Sequence, residues 1–144
     1  MLKNRLLKSR LNDSSSALVT PFELEIMKKH PRDGYDIIKD IPVLADYLPI
    51  VLWHHEKLDG SGYPDHLTES QIPFLVKIVT VADIYDAMTS NRVYRPRLPL
   101  EKALEILGKE ASQGLLDQFI VDTFIEIIKQ EQKTITEGVF YQAA

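Results

Sequence analysis

His30, His54, His55 and Asp83 stand out in this sequence as possible ligands for a divalent ion. Neutral imidazoles joined by a carboxylate suit iron, manganese, zinc and similar ions, whereas magnesium and calcium favour all-oxygen shells. His54 and His55 are adjacent and open the stretch HHEKLDGSGYP. Inside a regular helix they would project about 100° apart, so they either face different ions or serve together at a frayed helix end. In the turn after them, Gly60 and Gly62 permit positive φ and close backbone approach, Tyr63 offers a stacking face, and Pro64 stiffens the exit. A lone histidine is most often a surface or packing residue. It is the coupling of the pair to a glycine-rich turn that points to chemistry.

Asp83 lies in VTVADIYDAMTS, an apolar stretch in which a carboxylate without a partner is costly to bury, so a counter-charge, a hydrogen bond or an ion is expected beside it. Asp86, three residues on, reads as a capping or salt-bridging group. Arg92 and Arg95 come next, also three apart, where guanidinium forks can grip phosphate oxygens; a charge run at a helix end is more often only solvated.

The elements that have to position these residues read as helices. NDSSSA (12–17) is a loop, and Thr20, Pro21 and Glu23 form a helix start with capping-box spacing. Pro31 and the pair Asp33-Gly34 are expected to end that segment, after which Tyr35, Ile37, Ile38 and Ile41 resume apolar spacing up to Pro42. Val43 to about His55 predicts another helix, with a kink or restart at Pro49. Thr68 offers a cap before a long apolar helix from about Ile72 to Ser90. Two more apolar-periodic segments come after it, beginning LPLEKALEIL and LDQFIVDTF. The sum is an all-α domain of about six helices with no strand pairing evident.

At 144 residues the chain suits one domain, and 44% apolar with 26% charged residues is the mixture of a folded globular protein. A net charge of −4 argues against a broad surface for a nucleic-acid polymer while leaving room for a local anion pocket. With no cysteine, any metal has to be held by imidazole and oxygen, and a cytoplasmic location is expected. The start, MLKNRLLKSRL, lacks the continuous apolar run of a signal peptide or a spanning helix. Its leucines form a short stripe that predicts a surface helix and no membrane anchor.

HHEKLDGSGYP resembles the signature of HD-GYP domains, and EIMKKHP (25–31) and VADIYDAMTSNRVYRP (81–96) recur in that family in the same order. The resemblance covers roughly residues 18 to 130, leaving 1–17 as a basic segment with a polar loop and 131–144 as a C-terminal tail. It implies a single HD-like helical bundle and the activity of metal-dependent phosphohydrolases that cleave cyclic di-GMP. His30, His54, His55 and Asp83 match the family's iron or manganese ligands, and Arg92 and Arg95 match positions that contact substrate phosphate. Gly60, Gly62, Tyr63 and Pro64 match the loop that shapes the site and meets partners, among them GGDEF-type proteins. The implied mechanism is hydrolysis of a phosphodiester by metal-activated water, with the ions and arginines stabilising the developing charge.

The family also carries an upstream His-Asp pair followed by lysine. These 144 residues contain no His-Asp step; His66 comes after Asp65, in the reverse order. A bundle incomplete at its N-terminus is therefore expected, with doubtful ion occupancy, impaired hydrolysis and an uncovered apolar face that favours a homo-oligomer. The alternative is a catalytically inactive module that binds a cyclic dinucleotide or a protein. A helical scaffold without a ligand is the third reading.

Overall fold

Thr20 opens the first helix among the described residues as its sequence implies: Glu23 N–H donates to the threonine hydroxyl at 3.2 Å, and Thr20 N–H donates back to the Glu23 carboxylate at 2.7 Å. These bonds hold the Glu23 carboxyl below its usual range. The structure, a computed structural model, describes residues 20–91 and 96–136. The expected N-terminal leucine stripe, the 12–17 loop, Arg92 and Arg95 lie outside the described residues.

From Thr20 the chain forms α1 (Pro21–Met27), α2 (His30–Ile38), a 3-10 segment (Pro42–Tyr47) and α3 (Leu48–Trp53). A second 3-10 turn (Glu69–Gln71) then precedes α4 (Phe74–Thr89), α5 (Leu100–Ser112) and α6 (Gln118–Thr136). Among the described residues there is no named strand; Asp59 and Thr68 form an isolated antiparallel bridge that closes the glycine loop. The all-α expectation holds, including the helical reading of the Val- and Ile-rich stretch that became α4.

One expectation is corrected. Pro31 and Asp33-Gly34 do not end a helix; they lie inside α2, which begins at His30. Pro31 occupies the first turn, where its missing N–H costs no helical bond. Gly34 sits where α2 presses on α3: a Cβ there would come within 3.1 Å of Val51 Cγ1. Its helix-weakening character is thus offset by the close approach it allows. The expected restart at Pro49 is seen, with the 3-10 segment giving way to α3 and Pro49 in its first turn.

The core sits among α4, α5 and α6. Val81 and Met88 of α4 pack with Ala103, Leu107 and Ala111 of α5 and with Ile120 and Val121 of α6. Apolar spacing of three and four residues puts these side chains on one stripe of each helix. The segment after α3 is fastened to this core by Leu58 N–H donating to the Leu115 carbonyl at 3.1 Å and by a Lys57–Glu110 ion pair at 2.9 Å. Large apolar side chains also face outward, among them Phe22 at 74%, Ile37 at 76% and Phe119 at 71% exposure. No helix among the described residues is long and apolar enough to cross a membrane.

Leu107 is fully enclosed at 0% exposure. Leu107→Ala is expected to cost about 2–5 kcal/mol, read as a lower midpoint in denaturant-induced unfolding.

Candidate functional site

Three imidazoles from two segments meet at one point. His30 comes from the first turn of α2, whereas His54 caps the end of α3 and His55 lies one residue beyond. His30 Nε2 is 3.2 Å from His54 Nε2 and 3.2 Å from His55 Nε2. The ligand nitrogens of all three lie within 4.8 Å of one another. The His54 and His55 rings lie side by side, with centroids 4.1 Å apart, where the chain leaves the helical geometry of α3.

The other ring nitrogens determine what the cluster can hold. His30 Nδ1 lies 2.6 Å from the Met27 carbonyl, and His54 Nδ1 lies 2.9 Å from the Val51 carbonyl. A carbonyl oxygen can only accept, so each Nδ1 carries the proton and donates it. In the neutral rings both Nε2 atoms then present lone pairs to each other, an arrangement that repels unless a cation lies between them. Backbone carbonyls that fix ring tautomers in this way are the usual support of histidine metal ligands. Metal–nitrogen bonds of about 2.1 Å place neighbouring ligand nitrogens roughly 3.0–3.4 Å apart, and the two 3.2 Å separations match that edge length. The residues present fit a transition ion.

Asp83, on α4, faces the opposite side of His55: its Oδ2 is 3.7 Å from His55 Nδ1. The structure therefore brings the three histidines together directly and adds Asp83 across the ring of one of them. The Asp83 side chain keeps 37% of its surface exposed, so the enclosed carboxylate that the apolar stretch implied does not form, and His55 Nδ1 is a polar neighbour at 3.7 Å. Asp86 accepts a hydrogen bond from the Ser90 hydroxyl at 2.9 Å, a side-chain pair in the last turn of α4 in place of the capping or salt-bridging role expected of it.

The glycine loop folds back over the cluster. Tyr63 stacks on His55 with ring centroids 4.8 Å apart and planes inclined by 29°. Gly60 has φ +77°, open to glycine at no steric cost. Gly62 lies against the backbone at the end of α3, where a Cβ would come within 2.4 Å of Glu56 Cα and Lys57 N. The Tyr63–Pro64 peptide is cis. Burial, and after it the Asp83 charge, raises the Tyr63 phenol from 10.0 to about 12. Tyr63 thus keeps its proton throughout the neutral range.

Sequence reasoning missed the residues that hold this loop. Glu56 is 2% exposed, and its carboxylate accepts from Asp65 N–H at 2.7 Å and Leu67 N–H at 3.0 Å. The Asp65 carboxylate in turn accepts from Arg32 at 2.6 Å and from Trp53 Nε1–H at 2.8 Å. The available signal was the acidic residue directly after His55, but nothing in the sequence marks which acid will be enclosed.

The HD domain family matches residues 10–120. The chain belongs to that family. Its motifs place it in the HD-GYP branch, as do its relatives. It is 41% identical over 115 residues to a cyclic di-GMP phosphodiesterase of Thermotoga maritima, covering 78% of this chain and 31% of that protein. It is 39% identical to the cyclic di-GMP phosphodiesterase response regulator RpfG of Xanthomonas campestris, covering 74% of this chain and 29% of the relative. A 54-residue stretch is 48% identical to 3'3'-cGAMP-specific phosphodiesterase 3 of Vibrio cholerae, covering 38% of this chain and 12% of that enzyme. The fold matches an HDG"Y"P protein from Bdellovibrio bacteriovorus with a TM-score of 0.64 at 23% identity, over 76% of this chain and 34% of that one. This HD-GYP chain thus spans about a third or less of the length of these relatives.

Asp83→Asn is expected to bring the Tyr63 pKa down from about 12 only part of the way to 10.0, because burial is the larger cause. An NMR titration of labelled tyrosine reads this. A phenol whose pKa is raised by folding contributes its stability fully below pH 10.0, and the contribution is lost as the pH climbs toward 12. Gly62→Ala is expected to push the loop off α3 and abolish the ring-current shifts between Tyr63 and His55, with a lowered unfolding midpoint.

Proposed function

We propose that this domain holds a divalent transition ion, iron or manganese, and binds the phosphodiester of a cyclic dinucleotide beside it. His30, His54 and His55 are the ligands of that ion, and Asp83, on the Nδ1 side of the His55 ring, is the carboxylate that orients His55 or meets a second ion. The observation that supports this is the convergence of imidazole Nε2 atoms at 3.2 Å while the Nδ1 atoms of His30 and His54 are committed to backbone carbonyls. When bound, such an ion supplies Lewis-acid activation of water and neutralises charge on phosphate.

The protein's own groups do the rest. The carbonyls of Met27 and Val51 keep the rings of His30 and His54 in the ligand tautomer. Tyr63 covers one face of His55 and keeps water from it, and its hydroxyl stays protonated as a donor. Arg92 and Arg95 are the phosphate contacts of this proposal, neutralising charge by bidentate hydrogen bonds. The loop edge at Gly60 and Ser61 is the side open to a GGDEF-type protein. The outward apolar side chains of α1, α2 and α6 favour a homo-oligomer, and the cysteine-free chain suits the cytoplasm.

Because these 144 residues carry no His-Asp step, the polypeptide by itself is expected to hold less than a full pair of ions and to hydrolyse cyclic di-GMP negligibly. Elemental analysis and a turnover assay check this. A tightly held pair of irons or manganeses, with robust turnover lost on His55→Ala, would overturn it. The second reading is a binding module without turnover, favoured by the three-nitrogen cluster standing across the His55 ring from Asp83. Calorimetry with cyclic di-GMP is expected to give heat with the wild type and weaker binding with Arg92→Ala. No heat from either protein would remove the dinucleotide and leave a protein partner.

A further inference from the structure

Each histidine of the cluster has a near neighbour in sequence that is tied to the same residue. Arg32 lies two positions after His30, Trp53 one before His54, and Glu56 one after His55. Asp65 Oδ1 accepts from Arg32 Nη2 at 2.6 Å, and Oδ2 accepts from Trp53 Nε1–H at 2.8 Å. The Asp65 backbone N–H donates to Glu56 Oε1 at 2.7 Å. We propose that Asp65 is a positioning residue that sets the spacing of the three imidazoles, and thereby the affinity and geometry with which they hold an ion. This rests on the metal-binding reading of the site.

The need for such a tie comes from the local structure. His54 is still held by α3, through its N–H on the Ile50 carbonyl at 3.2 Å and its Nδ1 on the Val51 carbonyl at 2.9 Å, but His55 lies past the helix end, so the helical ladder does not fix where its ring points. His30 belongs to a separate helix that reaches α3 at the Gly34–Val51 contact. Ligands have to sit within about 0.5 Å of the productive geometry, and α2 and the end of α3 can slide by that much unless something spans them. Asp65 spans them through both carboxylate oxygens, with its backbone fixed by an enclosed glutamate. A carboxylate suits both bonds, because an amide would turn one acceptor into a donor facing Arg32 or Trp53.

The test uses cobalt(II) as the probe on wild type, Asp65→Asn and Trp53→Phe, with affinity and the visible absorption band as readouts. Contacts among the three imidazole rings are followed by NMR in the metal-free proteins. Asp65→Asn is expected to weaken cobalt binding about 10- to 100-fold and to change the band intensity, which reports coordination geometry and which a loss of global stability alone does not move. Trp53→Phe keeps the aromatic shape and removes one bond to Asp65. It is expected to shift both readouts the same way by less, and it carries the test if Asp65→Asn fails to fold. Wild-type affinity and band shape in both variants would overturn the proposal. If wild-type protein binds no cobalt, the metal reading fails, and the ring contacts decide the rest: their loss in the variants upholds positioning by Asp65, and their persistence refutes it.

Discussion

Two imidazole nitrogens, His30 Nε2 and His54 Nε2, face each other at 3.2 Å while their ring partners donate to the carbonyls of Met27 and Val51. Facing lone pairs repel, so two neutral rings in this geometry call for a proton or a metal cation between them, and the surrounding helices hold the rings in place. Helix α2 delivers His30, α3 ends so that His54 and His55 turn inward, and α4 sets Asp83 on the far side of His55. Where α2 and α3 touch, the missing side chain of Gly34 sets the distance, since a Cβ would lie 3.1 Å from Val51 Cγ1. A larger residue there would separate the helices and the imidazoles with them.

The glycine loop depends on a second constraint, the satisfaction of an enclosed charge. Glu56 is almost fully buried, and a carboxylate in that state is tolerated only when its oxygens accept hydrogen bonds. Backbone N–H groups from Asp65 and Leu67 supply them, which forces the chain after Pro64 to return to the end of α3. Gly62 makes that return possible by lying flat against the Glu56 backbone. Tyr63 is carried onto the His55 ring as a result. The Lys57–Glu110 pair and the Leu58–Leu115 bond join this arrangement to the core, so packing of α4, α5 and α6 bears on the site at a distance.

Local chemistry makes several of these features readable in advance. The Thr20–Glu23 capping box needs only its own residues, and it forms as its spacing implies. The helical period of α5 and α6 is visible because each has one buried stripe. Pro31 is harder to read, because a proline looks the same in sequence whether it stops one helix or opens the next. Here the residues after it continue the helix, so it opens one. Gly34 misleads for a related reason: in sequence it is a turn signal, but in space it is a contact.

By itself, then, the sequence determined the all-α class, the Thr20 helix start and the family motifs, because each of these depends on residue chemistry and short spacing. Only the tertiary structure decided that the His54 and His55 rings lie side by side, that His30 meets them across 24 positions of chain, and that Asp83 stands behind His55. It also assigned Glu56 and Asp65 to holding the loop. Those outcomes depend on which oxygen and nitrogen atoms end up within about 3 Å of one another, a distance set by the packing of separate helices and absent from any local pattern.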